Sequence, residues 1–426
     1  MALGLHPGII FGVAIALFII FHIALKWTLP AAFVLLAVIV AFIGDFGFPY
    51  RHLVEGGFGF INLVLALFAG TFFGHMMRES GAANAAADGI INAVGGRVLV
   101  VLTLVALPIF VVGMFVGLSG VAVLSAGVFA VPALKRIGFD DAGTAAFIAV
   151  VATAGMIAPP VNVPAMLLAD GVNMPWTGVT KALLFLSVPV LIAAIVWFSY
   201  GGGPKAVRKD VENPNAGFGD TIAGLAPFLL MVAIWLAVRI FPDTLPDPAS
   251  PLILVIGGLA VMHKVRRPEL RNVVYSTFTG TPLLLGAVLV TVGIVVQVMT
   301  LTGVRGWLVV STMGLGTPWI YPGLLFGMPL LGGALTSMVV ADVMGVPAAF
   351  WLIKQDMIIN VSALSGLAAL AEFVPPTSIA AALSCYVVGG GTVGQVFRRS
   401  WPPLLVLVLM AVIMIMFAPQ LAGIIT

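Results

Sequence analysis

The sequence predicts an all-α polytopic membrane protein of two inverted repeats, each with a re-entrant hairpin and a broken transmembrane helix. Three observations predict it. Of 426 residues, 61% are hydrophobic and 8% charged, with a mean hydropathy of +1.20, whereas a soluble domain carries roughly 25% charged residues. Apolar stretches long enough to span recur along the whole chain. Two of them are broken by a proline doublet, in Gly155-Met156-Ile157-Ala158-Pro159-Pro160-Val161-Asn162 and in Glu372-Phe373-Val374-Pro375-Pro376-Thr377-Ser378. Two adjacent prolines remove two backbone donors and clash with the preceding helical turn. The freed carbonyls then need partners inside the protein or in a water-lined cavity. Breaks at matching places in two halves point to the binding site of a transporter.

The elements follow in order. Roughly 20 residues cover the hydrocarbon core, and apolar stretches of this kind lie at 8–25, 29–46 and 57–76. The first lacks a basic leader and a small-residue cleavage site before Lys26, so it is expected to be a retained helix rather than a signal peptide. The Ala-rich stretch 78–97 reads as an interfacial helix. Residues 98–134 form two apolar arms around Gly117-Leu118-Ser119-Gly120, ended by Lys135-Arg136. The first broken helix covers 141–168, and 180–200 is another span. A polar linker, 201–218, separates the repeats, expected as 1–200 and 219–426. In the second, spans are expected at 219–241, 250–263 and 276–299, with a basic loop of Lys264, Arg266, Arg267 and Arg271 before the last. An interfacial stretch at 300–316 precedes two arms, 318–354, around Gly332-Gly333-Ala334-Leu335-Thr336-Ser337. The second broken helix, 358–386, and a final span, 402–424, complete the chain.

Spacing and charge support the repeat. Ser119 to Pro159 is 40 residues and Ser337 to Pro375 is 38. With the linker in the cytoplasm and both arm pairs returning to their starting side, 14 of 19 Lys and Arg lie inside and 5 outside, as the positive-inside rule requires. Both termini then lie outside. A hairpin and a pair of full crossings return to the same side, so charge leaves both forms open. The single cysteine, Cys385, excludes an internal disulfide, and five scattered histidines show no zinc-type spacing. The net charge of +3 serves topology and needs no nucleic-acid partner.

The candidate binding residues lie at the tips and breaks: Gly117, Ser119, Gly120, Pro159, Pro160, Asn162, Thr336, Ser337, Pro375, Pro376, Thr377 and Ser378. Interrupted helices leave carbonyls unpaired, and hard cations take oxygen ligands. A cation, sodium first, is therefore expected where Ser119 meets Gly155 and Asn162, and where Thr336 and Ser337 meet Thr377. No organic cofactor is expected. Asp342 and Glu372 lie within apolar segments, where an ionised group costs roughly 2.5–3.5 kcal/mol, and are candidates for coupling or gating. The plainer readings are proline kinks, a Gly113-to-Gly117 helix contact, and carboxylates satisfied by hydroxyls. Gly389 to Gly394 matches a dinucleotide pattern only formally, since it follows a membrane helix and reads as a turn; no phosphate-loop motif occurs.

Two resemblances arise from these residues. Gly117 to Gly120 resembles the nucleophile motif of rhomboid intramembrane serine proteases, but the only histidine after Ser119 is His263, at a membrane boundary. Such a serine needs a base within hydrogen-bond reach, so the protease is a remote alternative. Phe73-Gly74-His75-Met76-Met77-Arg78-Glu79-Ser80-Gly81, the Gly-rich tip followed by Val131-Pro132-Ala133-Leu134, Gly155 to Pro160, and Phe373-Val374-Pro375-Pro376 together resemble the large membrane subunit (DctM-like) of TRAP transporters, within the ion transporter superfamily. The resemblance covers about 55–200 and 276–420. It implies an elevator-type secondary transporter, not an enzyme, taking up organic acids with sodium across a bacterial or archaeal cytoplasmic membrane. It also implies a four-helix small subunit and a periplasmic substrate-binding protein. Both tips depart from the family pattern, and a stand-alone sodium- or proton-coupled carboxylate symporter is the alternative.

Overall fold

A computed structural model describes residues 5–95, 97–203, 211–314 and 316–425. The described residues are helical with no strand, and eight of the helices are long and apolar enough to cross a membrane. Linker residues Lys205, Arg208, Lys209 and Asp210 lie outside the described residues.

The first half runs through α1 (Pro7–Ala24), α2 (Leu29–Ile43), α3 (Tyr50–Gly59), α4 (Ile61–Glu79) and α5 (Ala82–Val94). The paired arms are α6 (Val98–Val116) and α7 (Ser119–Arg136), then come α8 (Asp141–Met156), α9 (Val163–Gly171) and α10 (Val179–Tyr200). The second half holds α11 (Phe218–Ile240), α12 (Ala249–Lys264), α13 (Arg267–Thr277), α14 (Gly280–Leu301) and α15 (Val304–Met313). Its arms are α16 (Trp319–Ala334) and α17 (Ser337–Trp351), followed by α18 (Met357–Phe373), α19 (Ile379–Val388), α20 (Val393–Met416) and α21 (Ala418–Ile425).

Most expected spans are present, with shifted ends. Two elements differ in kind. The stretch expected as a basic loop is α13, an amphipathic helix with Pro268 in its first turn and Glu269 accepting from the Arg266 N–H at 3.0 Å. The stretch read as one interfacial helix is split at Gly81, whose φ of +72° lets the chain turn between α4 and α5.

The helices sort into an inner and an outer set. Helix α8 is the innermost, with every residue from Ala142 to Met156 buried. A helix apolar all round has no solvent face to offer and belongs in a core. Its Ala- and Gly-rich surface lets α6, α10, α19 and α20 pack against it. Around this body, α2 and α3 pack on α14, α4 on α12, and α5 on α11. The exposed faces are themselves apolar, with Ile9, Phe58, Leu229 and Phe326 all more than half exposed, as a lipid-facing surface requires.

One buried and one half-exposed ion pair tie the arm end to the rest. Arg136, at the end of α7, pairs with Asp88 of α5 at 2.9 Å and with Glu212 at 2.9 Å. Asp88 also accepts from the Glu212 and Asn213 N–H groups. The chain entering the second half is thereby fastened to α5.

Close approach of α6 to α8 depends on two glycines. A Cβ on Gly113 would lie 2.9 Å from the Gly155 backbone, so a larger residue must push the helices apart. Gly113→Val should lower stability by about 1–3 kcal/mol, read by denaturant unfolding in detergent. Gly12→Ala, where a Cβ meets nothing within 4 Å, should be neutral or slightly stabilising. Equal behaviour of the two variants would contradict the packing.

Candidate functional site

The first arm pair turns at Gly117, which closes α6 in the left-handed region with φ +69°. Its Cα side faces Val161 of the first break; a Cβ there would meet the Val161 carbonyl oxygen at 2.9 Å. The Val161 N–H donates to the Met114 carbonyl at 3.2 Å. The second arm pair repeats this contact. The Thr377 N–H and hydroxyl both donate to the Gly333 carbonyl, each at 2.9 Å. Each tip therefore sits against the break of its own half.

The breaks solve the loss of helical bonding in different ways. Pro159-Pro160 and Pro375-Pro376 are both cis. Asn162 is the N-cap of α9: its side-chain oxygen accepts from the Ala165 N–H at 3.0 Å. Its amide donates to the Ile157 carbonyl at 3.1 Å, where α8 ends, and to the Ser365 hydroxyl at 3.0 Å. One side chain thus rejoins the two helical halves. In the second break Ser378 makes no side-chain cap and sits at φ +34°. There Glu372 takes the role, accepting from the Ala380 N–H in the first turn of α19 at 3.1 Å.

Glu372 does more than cap. Its Oε2 accepts from the Ser119 hydroxyl at 2.5 Å, and its Oε1 accepts from the Ser337 hydroxyl at 2.5 Å. Ser119 and Ser337 are the first helical residues after the two tips. Both tips and the start of α19 therefore converge on one carboxylate that is 1% exposed. No ion pair to Glu372 occurs among the described residues. Three helix starts surround it instead, and helix N-termini favour negative charge.

The other expected residues distribute around this point. Gly120 faces α19, where a Cβ would lie 3.0 Å from Leu383 and 3.1 Å from Ile379. Thr336 caps α17 by accepting from the Val339 N–H at 3.3 Å. Gly155 packs on the Phe110 backbone of α6. Pro159, Pro160, Pro375 and Pro376 form the two break segments between the capped helices. Asp342 is separate: it lies on a π turn of α17 and pairs with Arg305 of α15 at 2.5 Å. Sequence reasoning missed that pair because 37 residues and a whole arm separate the partners. It also missed the cap at Asn162, although Asn followed by Pro164 is a helix-start signature.

The geometry defines a polytopic membrane protein in which two helix-turn-helix tips and two interrupted helices meet at a buried polar centre. Residues 2–241 match the family profile of the tripartite ATP-independent periplasmic transporter, DctM component, and the chain belongs to that family. It is thereby the large membrane component of a TRAP-type transporter, in a family of transporters that works with small membrane and periplasmic binding partners. No curated protein matches the chain.

Because Ser119 and Ser337 share one acceptor, their contributions should not be independent. Ser119→Ala and Ser337→Ala should each cost about 1–3 kcal/mol of stability. The double variant should depart from the sum by at least about 0.5 kcal/mol. Strict additivity in denaturant titrations would show that the hydroxyls do not meet on Glu372.

Proposed function

We propose that this protein is the permease subunit of a cation-coupled uptake system for small organic acids, working by an elevator motion. In this reading residues 1–200 and 219–426 are inverted repeats joined by a cytoplasmic linker, 201–218, and α6–α7 and α16–α17 are re-entrant hairpins. Their matching layouts support it: each second arm runs four residues, Ser119–Ala122 and Ser337–Val340, into a five-residue π turn. A periplasmic binding protein would deliver the acid and a small membrane subunit would brace the outer helices.

The convergence on Glu372 carries the reading. A carboxylate in an apolar body without a basic partner calls for a cation, since an unpaired charge there is costly. Sodium is the proposed ion. Ser119 and Ser337 keep hydroxyl lone pairs that can turn toward it, and the break carbonyls supply further oxygen ligands. A cation held there offsets the repulsion between Glu372 and an incoming acid. A proton is the second reading and rests on the same residue, the one carboxylate to which both tips donate.

The test is uptake into proteoliposomes with the partner subunits present. A labelled acid such as succinate should enter faster under an inward sodium gradient than under potassium. Glu372→Gln should lower that sodium stimulation at least about tenfold, as expected for losing one charged partner. Uptake driven by a proton gradient alone would select the second reading. Full sodium-driven uptake by Glu372→Gln would place coupling elsewhere.

A further inference from the structure

A second polar site lies along α19 from Glu372, between the inner body and the outer helix α4. Here α4, α5, α7 and α19 border a crevice of about 420 Å³ lined by Arg78, Asn84 and Tyr386 among apolar residues. A recess of about 100 Å³ adjoins it, sharing Arg78 and Tyr386 and adding Thr71 and His75. No carboxylate lines either space, and Glu79, next to Arg78 in sequence, faces neither. The Arg78 guanidinium donates to the Val387 carbonyl at 3.1 Å and has no carboxylate partner among the described ion pairs. Arg78 is exposed, and a guanidinium carries five N–H donors, so donors remain for a ligand that displaces water. His75 Nε2 is buried without a hydrogen-bond partner. An unpaired buried polar atom beside a guanidinium with no carboxylate partner is an incomplete hydrogen-bond set, and an anion completes it.

The crevice is connected to the central carboxylate by structure. Helix α19 begins with the Ala380 N–H on Glu372 and reaches Arg78 through Val387, a rise of about 10 Å at 1.5 Å per residue. The second wall, α7, likewise begins at Ser119 and reaches the crevice through Val128 and Pro132. Two of the three helices that start on Glu372 thus also frame the cationic space, toward the end of the protein that carries Lys135, Arg136 and Arg399.

We propose that this crevice is a binding site for a small organic carboxylate on its way between the tips and the cytoplasmic face, with Arg78, His75 and Tyr386 as its polar contacts. The placement on a route rests on the transport reading above; the binding site does not. An acid held there touches the outer helix α4 on one side and the inner body on the other. It leaves the neighbourhood of Glu372 for a cation of the protein itself.

The experiment follows phenylglyoxal modification of Arg78 by peptide mass spectrometry, with the protein in nanodiscs of phosphatidylcholine alone. Lactate, succinate and citrate are the probes, succinamide the neutral control, and Arg51 the internal reference. At least one acid should slow modification of Arg78 but not of Arg51, and succinamide should not. In His75→Ala the acid concentration giving half protection should rise about tenfold, as for losing a charge-assisted hydrogen bond. No protection by any acid overturns the proposal. Protection by phosphatidylglycerol, with no further effect of acids, assigns the site to a lipid headgroup and overturns it too. In proteoliposomes Arg78→Gln should raise the half-saturating concentration of the protecting acid; unchanged transport would remove the site from the route. Protection of Arg78 in a protein that transports no acid would keep the site and defeat only the transport reading.

Discussion

A helix interrupted inside an apolar body leaves N–H groups with no partner, and this structure is organised around supplying them. Water cannot reach these groups, and each one left bare costs free energy comparable to a lost hydrogen bond. Asn162 meets the need in the first half from the far side of the break. In the second half the acceptor comes from the near side, as Glu372. The choice matters because an amide carries its own donors and a carboxylate has none. Asn162 spends its donors on Ile157 and Ser365 and becomes a closed structural unit. Glu372, an acceptor only, draws in the hydroxyls of both tips.

Much of this was legible in the sequence. Composition announced the membrane, and the two proline doublets announced the breaks, because proline's missing donor is a local property. The arms and tips were legible for the same reason: Gly117 must adopt φ +69°, which glycine does freely. What was not legible is which side chains meet across the fold. Ser119 and Glu372 lie 253 residues apart. No local pattern says that tip one reaches the second break's carboxylate rather than Asn162 of its own half. Asp342 shows the reverse case. In sequence it sits in an apolar run like Glu372, yet the arm turns it outward to Arg305.

The two halves share a layout of tip and break but not its chemistry. The position of Glu372 in one half is held by Met156 in the other, each four residues before the second proline of its doublet. Met156 is buried in the end of α8 and offers a hydroxyl only a weak, uncharged thioether acceptor. The frame therefore has two tips and two breaks but a single charged centre.

Sharing one acceptor has a consequence for how the tips can move. A carboxylate divides its negative charge among its donors. When one hydroxyl departs, the charge it drew upon strengthens the bond to the donors that stay. Withdrawal of the first tip thus makes withdrawal of the second harder. Two donors joined this way are more easily lost one at a time than together. The two tips are thereby coupled through the valence of one oxygen pair.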